Sequence, residues 1–216
     1  MLAGGAGGLG RAAAEMLAAE GARVIVSYRS RAIDSAVKAD LSDADDRRRL
    51  LDTAPALYGL VVFAGEAARS EELLEQSLAS NFVGPIRLAR EAAERMKAAN
   101  TPGAIVLIAT MQATAVFAGS TAYAAPKAAL LHAGRILAKE MRGPANIRVN
   151  VVCPGVNDAG MARASIASGK YDRFLSEGVI PRWGRAEDVA RAVRFFLEPD
   201  SYVTGQVLTV DGGLTL

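Results

Sequence analysis

The chain has one cysteine (Cys153), one histidine (His132) and one tryptophan (Trp183) in 216 residues. A single thiol excludes an intramolecular disulfide and the multi-cysteine sites that hold structural zinc, so no metal is expected. His132 lies among Ala and Leu and reads as a packed or interface side chain, not a ligand. Charge of one sign is also lacking. There are 25 Lys and Arg against 23 Asp and Glu, a formal net charge of +2. The two signs interleave and form no basic stripe with aromatics, so nucleic acid is not an expected partner. The densest basic run, Arg47-Arg48-Arg49, follows Asp43, Asp45 and Asp46 and reads as a solvated helix face. Long hydrophobic runs are missing too, and none approaches the roughly 18 residues of a membrane span. Arg11, Glu15 and Glu20 interrupt the N-terminal stretch, so no secretory leader is read there and the expected compartment is the cytoplasm.

What the chain does have is alternation. Short β-branched runs at 24–26, 36–39, 60–63, 105–108, 149–152 and 207–210 are separated by helical patterns at 11–20, 70–97, 123–141 and 186–197. Continuous apolar strands between helices predict a doubly wound parallel sheet covered on both faces, a Rossmann-type α/β fold. The length suits one domain, residues 1–216. Two intervals are short. Met1-Leu2-Ala3 precedes the first glycine, against about five or six residues in a usual strand. This predicts an incomplete strand and a higher thermal midpoint if apolar residues were added upstream. Residues 29–35 cannot hold the dozen or so residues of a helical crossover. The return is therefore a loop, or the pairing differs.

Gly4-Gly5-Ala6-Gly7-Gly8-Leu9-Gly10 lies at the first strand–helix junction. Glycines admit positive φ and close backbone approach, and a helix N-terminus offers free N–H groups to a pyrophosphate. A tight turn without ligand is the alternative, which the place at the first βα junction makes weaker. After the second strand no carboxylate appears until Asp34; Tyr28, Arg29, Ser30 and Arg31 stand there instead. Arg29 and Ser30 suit a ribose 2′-phosphate, which favours NADP(H) over NAD(H); the alternative is a solvated loop.

Tyr123 and Lys127 are four residues apart in a helical stretch, hence on one face. Pro126 between them is tolerated in a first turn. An ammonium beside a phenol lowers its pKa from about 10 and suits it to exchange a proton with a carbonyl or alcohol.

These features together resemble the short-chain dehydrogenase/reductases, in particular their 3-oxoacyl-carrier-protein reductase-like ketoreductases. The Gly-x-x-x-Gly-x-Gly turn falls on Gly4, Gly8 and Gly10, the Tyr-x-x-x-Lys pair on Tyr123 and Lys127, the active-site hydroxyl on Thr110, and the helix asparagine on Asn81. Further matches are Asp40-Leu41-Ser42-Asp43, Ile147-Arg148-Val149-Asn150, Pro154-Gly155, Val203-Thr204-Gly205-Gln206 and Val210-Asp211-Gly212-Gly213.

The resemblance implies an NAD(P)(H)-dependent oxidoreductase acting on a small-molecule ketone or alcohol. Tyr123 would be the general acid/base, and Lys127 would hold the nicotinamide ribose. Thr110 would bond the substrate oxygen, and Asn81 would hold a relay water. The cofactor would meet Gly4, Gly7, Gly8, Leu9, Gly10, Tyr28, Arg29, Ser30, Asp40, Leu41, Ala64, Gly65, Pro154 and Gly155, besides Tyr123 and Lys127. On the bland reading Asn81 is a helix-interior polar group and Thr110 a strand-end cap. Residues 156–180, with Gly160 and Gly169 as hinges, would form a substrate lid. Met111, Gln112, Phe117, Val156 and Met161 would line the pocket, with core packing the alternative for Phe117 and Met161. The helices at 70–97 and 123–141 would pair in a homodimer or homotetramer.

There are departures. Ala3 stands where Thr usually braces the turn, and Phe63 where Asn usually precedes Ala-Gly. Thr110 replaces the usual Ser, and Ala159 the Thr that holds the nicotinamide carboxamide, for which Asn157 or Asp158 is a substitute. They motivate an alternative, a dinucleotide-binding scaffold or sensor with little turnover. A nicotinamide-using isomerase or dehydratase is a third reading, disfavoured because the chain has no room for the extra substrate domain.

Overall fold

A computed structural model describes residues 1–30 and 33–216; Arg31 and Ala32, within the predicted 29–35 loop, lie outside the described residues. The strands are β1 (Leu2–Ala3), β2 (Ser27–Tyr28), β3 (Val37–Lys38), β4 (Gly59–Val62), β5 (Gly103–Ile108), β6 (Ile147–Pro154) and β7 (Val207–Val210). Interleaved with them are α1 (Gly8–Ala19), α2 (Ala44–Asp52), α3 (Leu74–Leu78), α4 (Gly84–Ala98), α5 (Thr121–Glu140), α6 (Ala162–Ala167), α7 (Asp172–Ser176) and α8 (Ala186–Leu197).

All pairings are parallel, in the order β1-β4-β5-β6-β7 with a separate β2-β3 pair. A bridge from Leu2 to Val26 and a 2.8 Å bond from the Leu2 N–H to the Ile25 carbonyl stitch that pair to β1. The strand order therefore runs outward from β1 in both directions. Such a reversal opens a crevice at the carboxyl ends of the strands, where ligands of open α/β sheets sit.

Period-two alternation divides the core. Leu60, Val62, Ile105, Leu107, Val149 and Val151 face a cluster with Leu50 of α2, Leu88 of α4 and Leu130 and Leu137 of α5. Val61, Val106, Ile108 and Val152 face Ala13 of α1 and Val189, Val193 and Phe196 of α8. Both faces are dry, which explains the continuous apolar strands.

Several elements depart from the sequence expectation. The 24–26 run contributes only Val26, as a single bridge, and the strand proper is Ser27–Tyr28. Its neighbour β1 offers only two residues for a ladder. The 29–35 stretch, by contrast, keeps to the expectation: it returns to a parallel partner with no helix among its described residues.

The 70–97 helix is broken into a 3-10 turn (Glu71–Leu73), α3, a π-helical turn (Ala79–Val83) and α4. Pro85 has no N–H to return to the Asn81 carbonyl, and removing that bond disrupts the α-helical ladder. Helix α5 begins at Thr121, which puts Pro126 in its second turn.

Arg47 is the largest correction. Its guanidinium is buried, not solvated. Nε donates to both Glu91 oxygens (2.9 and 3.1 Å), and Nη1 to the Leu41 (2.8 Å) and Ser42 (3.3 Å) carbonyls. Arg48 and Arg49 keep the expected exposed pairs with Asp45 and Asp46. His132, expected to pack or to meet an interface, is exposed on α5. Among the described residues no helix is long and apolar enough to cross a membrane, and no cluster of three or more His, Cys, Asp or Glu is placed to hold a metal.

Candidate active site

The crevice has three connected parts. The first, about 220 Å³, is lined by the glycine turn (Gly4, Ala6, Gly7), by Tyr28, Arg29 and Ser30 after β2, by Asp40, Leu41 and Ser42 after β3, and by Phe63, Ala64 and Gly65 after β4. The second, about 240 Å³, continues past Gly8, Leu9 and Gly10 to Thr110, Tyr123, Lys127, Pro154, Gly155, Asn157 and Ala159. The third, about 400 Å³, lies beyond it among Arg69, Met111, Gln112, Val156, Met161, Ser165, Lys170 and Tyr171. Thr110, Tyr123 and Met161 border both the second and third chambers and so stand at their junction.

Glycine is required in the turn. Gly4 has φ +72°, and a Cβ there would fall 2.8 Å from the Ala64 nitrogen. A Cβ on Gly10 would fall 2.5 Å from the Gly5 Cα, so this position lets α1 lie against its own turn. The hydroxyl missing at Ala3 is replaced from a neighbouring strand: the Gly4 N–H donates to Ser27 Oγ at 3.1 Å. Gly7 offers no side-chain cap to α1. The first N–H groups of that helix are thus left to face the crevice, an arrangement that suits an anion.

At the junction, Lys127 is buried and donates from Nζ to the Ile108 (2.9 Å) and Ala64 (3.3 Å) carbonyls. Burial lowers its pKa to about 8. Burial also raises the Tyr123 phenol above its ordinary value, and interaction with the Thr110 hydroxyl only partly opposes this. The expected lowering by Lys127 is not found, because its ammonium is turned onto two backbone carbonyls. Thr110 also caps the short turn that follows it, accepting from the Gln112 N–H at 3.3 Å. Cys153, behind Lys127, is buried with its thiol pushed up to about 11, and therefore stays protonated at neutral pH.

Asn81 sits in the π-helical turn, fully buried, and lines none of the three chambers. Its Oδ1 accepts from the Glu66 N–H (3.1 Å), and its Nδ2 donates to the Glu66 carbonyl (3.0 Å) and to Ser77 Oγ (2.8 Å). A Cβ on Gly65 would fall 2.5 Å from Asn81 Oδ1 and 2.9 Å from Lys127 Nζ, so both side chains press on the same glycine.

Phe117 lies outside the chambers. It is partly buried against the cluster that holds Met111, Val156 and Tyr171, the core packing that was its alternative. Asn157 lines the second chamber, donating to the Gly155 carbonyl at 2.8 Å, whereas Asp158 pairs with Arg163 at the surface. Of the two substitutes for the missing threonine, only Asn157 is in place. Glu66, which no sequence signal singles out, pairs with Arg29 at 2.6 Å on the rim of the first chamber.

A family model described as enoyl-(acyl carrier protein) reductase matches residues 4–215. The 3-oxoacyl-[acyl-carrier-protein] reductase MabA of Mycobacterium tuberculosis is 31% identical, over 99% of this chain and 91% of that protein. The chain belongs to the short-chain dehydrogenase/reductase family. This family consists of oxidoreductases that act on carbonyl and hydroxyl groups with NAD(P). A chloroplastic NADPH-dependent aldehyde reductase 2 of Arabidopsis thaliana is 28% identical over 100% of this chain and 93% of its own length. The solved structure of a short-chain type dehydrogenase/reductase from Mycobacterium ulcerans superposes with a TM-score of 0.88 at 27% identity, covering 99% of this chain and 88% of that one.

Proposed function

We propose that this family member is an NADPH-dependent ketoreductase in which Tyr123 protonates the carbonyl oxygen of a ketone. The observation that carries this reading is that Thr110 and Tyr123 stand where the glycine-turn crevice meets the third chamber, with Lys127 lining the second chamber beside them. When bound, the dinucleotide supplies the hydride. The uncapped N–H groups of α1 and the glycine turn fit its pyrophosphate. Arg29 and Ser30 would hold a 2′-phosphate, Asp40 and Leu41 would border the adenine, and Lys127 would hold the nicotinamide ribose.

Thr110 and Tyr123 both donate to the substrate oxygen. A phenol raised by burial is protonated at neutral pH, which is the form an acid needs. Its proton is replaced through Lys127, whose value of about 8 lets it give and regain a proton near neutrality. The Asn81 carbonyl, left without a donor at Pro85, would hold the next water. The chamber lining of Met111, Val156, Met161 and several hydroxyls suits a medium-sized, partly apolar carbonyl compound, with 156–180 as the lid over it. Homodimer or homotetramer pairing through α4 and α5 belongs to the same reading.

Two expected outcomes follow from this mechanism. Titration of the chain with each nucleotide, read by Trp183 and nicotinamide fluorescence, should show NADPH binding more tightly than NADH; equal binding would remove the role given to Arg29. The second concerns pH. Reduction uses the protonated phenol and oxidation the phenolate. Because the phenol is raised above its ordinary value of about 10, alcohol oxidation should climb only as pH approaches and passes that value, while ketone reduction declines there. Parallel pH profiles in the two directions would contradict the assignment.

A further inference from the structure

Glu66 follows Ala64-Gly65 at the end of β4, where the chain borders the adenosine end of the crevice. Its backbone is clamped on both sides by Asn81. One carboxylate oxygen accepts from Gln76 Nε2 and Ser80 Oγ, both at 2.9 Å, and the other from Arg29 Nη2 at 2.6 Å. Burial pushes this carboxyl up, but the bonds from Arg29, Gln76 and Ser80 outweigh it and hold the group below the ordinary carboxylate range. Glu66 is thus a fixed anion throughout the neutral range, and Gln76 and Ser80 hold it in place even when Arg29 moves.

We propose that Glu66 is an internal competitor for Arg29 and sets how strongly this protein distinguishes dinucleotides with and without a 2′-phosphate. The proposal rests on the cofactor reading above. Arg29 presents its guanidinium to a carboxylate 2.6 Å away. An incoming phosphate must either take that contact from Glu66 or share the guanidinium with it, a few ångströms from a like charge. A neutral 2′-hydroxyl suffers neither cost. Glu66 therefore reduces the advantage that Arg29 would otherwise give NADPH and leaves NADH almost untouched. Gln at this position keeps the size and one acceptor oxygen for Gln76 and Ser80, and it removes both the charge and the oxygen that accepts from Arg29.

The test is a set of dissociation constants for NADPH and NADH at one fixed ionic strength. They are measured on the full chain, on Glu66→Gln, on Arg29→Ala and on the double variant. Glu66→Gln should tighten NADPH by about fivefold, the scale of a partly exposed ion pair, and leave NADH within about twofold. In the Arg29→Ala background the same substitution should change NADPH binding by less than about twofold, because the shared partner is gone. Unchanged NADPH binding in Glu66→Gln, or an equal gain for both nucleotides, would overturn the proposal alone. A wild-type chain that binds neither nucleotide would overturn the cofactor reading, and this proposal with it.

Discussion

Replacing Tyr123 with Phe is expected to lower ketone reduction by about a thousandfold or more while leaving NADPH affinity within about threefold. General acid catalysis by a positioned group contributes roughly 10²–10⁴ in rate, and the hydroxyl is the only atom the substitution removes. The ring remains at the junction of the two chambers, and Lys127 keeps its bonds to Ile108 and Ala64. Cofactor binding should therefore survive. Thr110 cannot replace the lost acid: an aliphatic hydroxyl donates a hydrogen bond but holds its proton too tightly. Single-turnover oxidation of bound NADPH, paired with a binding titration, separates the two effects. Full turnover in Tyr123→Phe would refute the assignment. A matching loss of binding would instead make Tyr123 a cofactor-positioning group.

The second large effect concerns stability. Arg47→Ala is expected to cost about 2–4 kcal/mol. The substitution leaves the buried Leu41 carbonyl without its donor, takes a second bond from the part-buried Ser42 carbonyl, and removes the side chain that ties α2 to Glu91 of α4. The surviving Glu91 is 38% exposed, so water can solvate it, which keeps the cost below that of a fully buried orphan charge. At roughly 2–4 °C per kcal/mol for a chain of this size, the thermal midpoint should fall by about 4–16 °C. Arg47→Met fills the same space and should recover part of this. NADPH affinity should fall as well, because Leu41 lines the first chamber, the proposed adenine site. An Arg47→Ala midpoint within about 1 °C of wild type would show that the buried bonds add nothing.

The two substitutions also show what the sequence could and could not reveal. Tyr123, Lys127 and the glycine turn were legible because their spacing is local, on one helix face and at one strand–helix junction; Thr110 was legible only through the family resemblance, and the alternation of strands and helices brings it to the same chamber. Arg47 was not legible. The run Arg47-Arg48-Arg49 has no pattern to show which of the three guanidiniums points toward α4, and only packing decides it. The π-helical turn at Asn81 escaped for a related reason, since the apolar periodicity continues across it and the break comes from the missing N–H of Pro85. The Glu66–Arg29 pair joins residues 37 apart on two different strand ends, which leaves no periodic trace. Ser27 could replace the hydroxyl missing at Ala3 only because β2 lies beside β1. The sign of the Tyr123 shift is set by burial of the phenol, which helix spacing alone does not determine.

The central claim is hydride transfer from nicotinamide to a carbonyl carbon within this crevice. It is tested most directly with NADPH deuterated at C4 and a small ketone panel that includes an acetoacetyl thioester, with the alcohol product examined by mass spectrometry. The account predicts one deuterium at the carbinol carbon, formed by the wild-type chain and not by Tyr123→Phe. NADPH that binds yet transfers no deuterium to any ketone would contradict it and would leave a dinucleotide-binding scaffold as the better description.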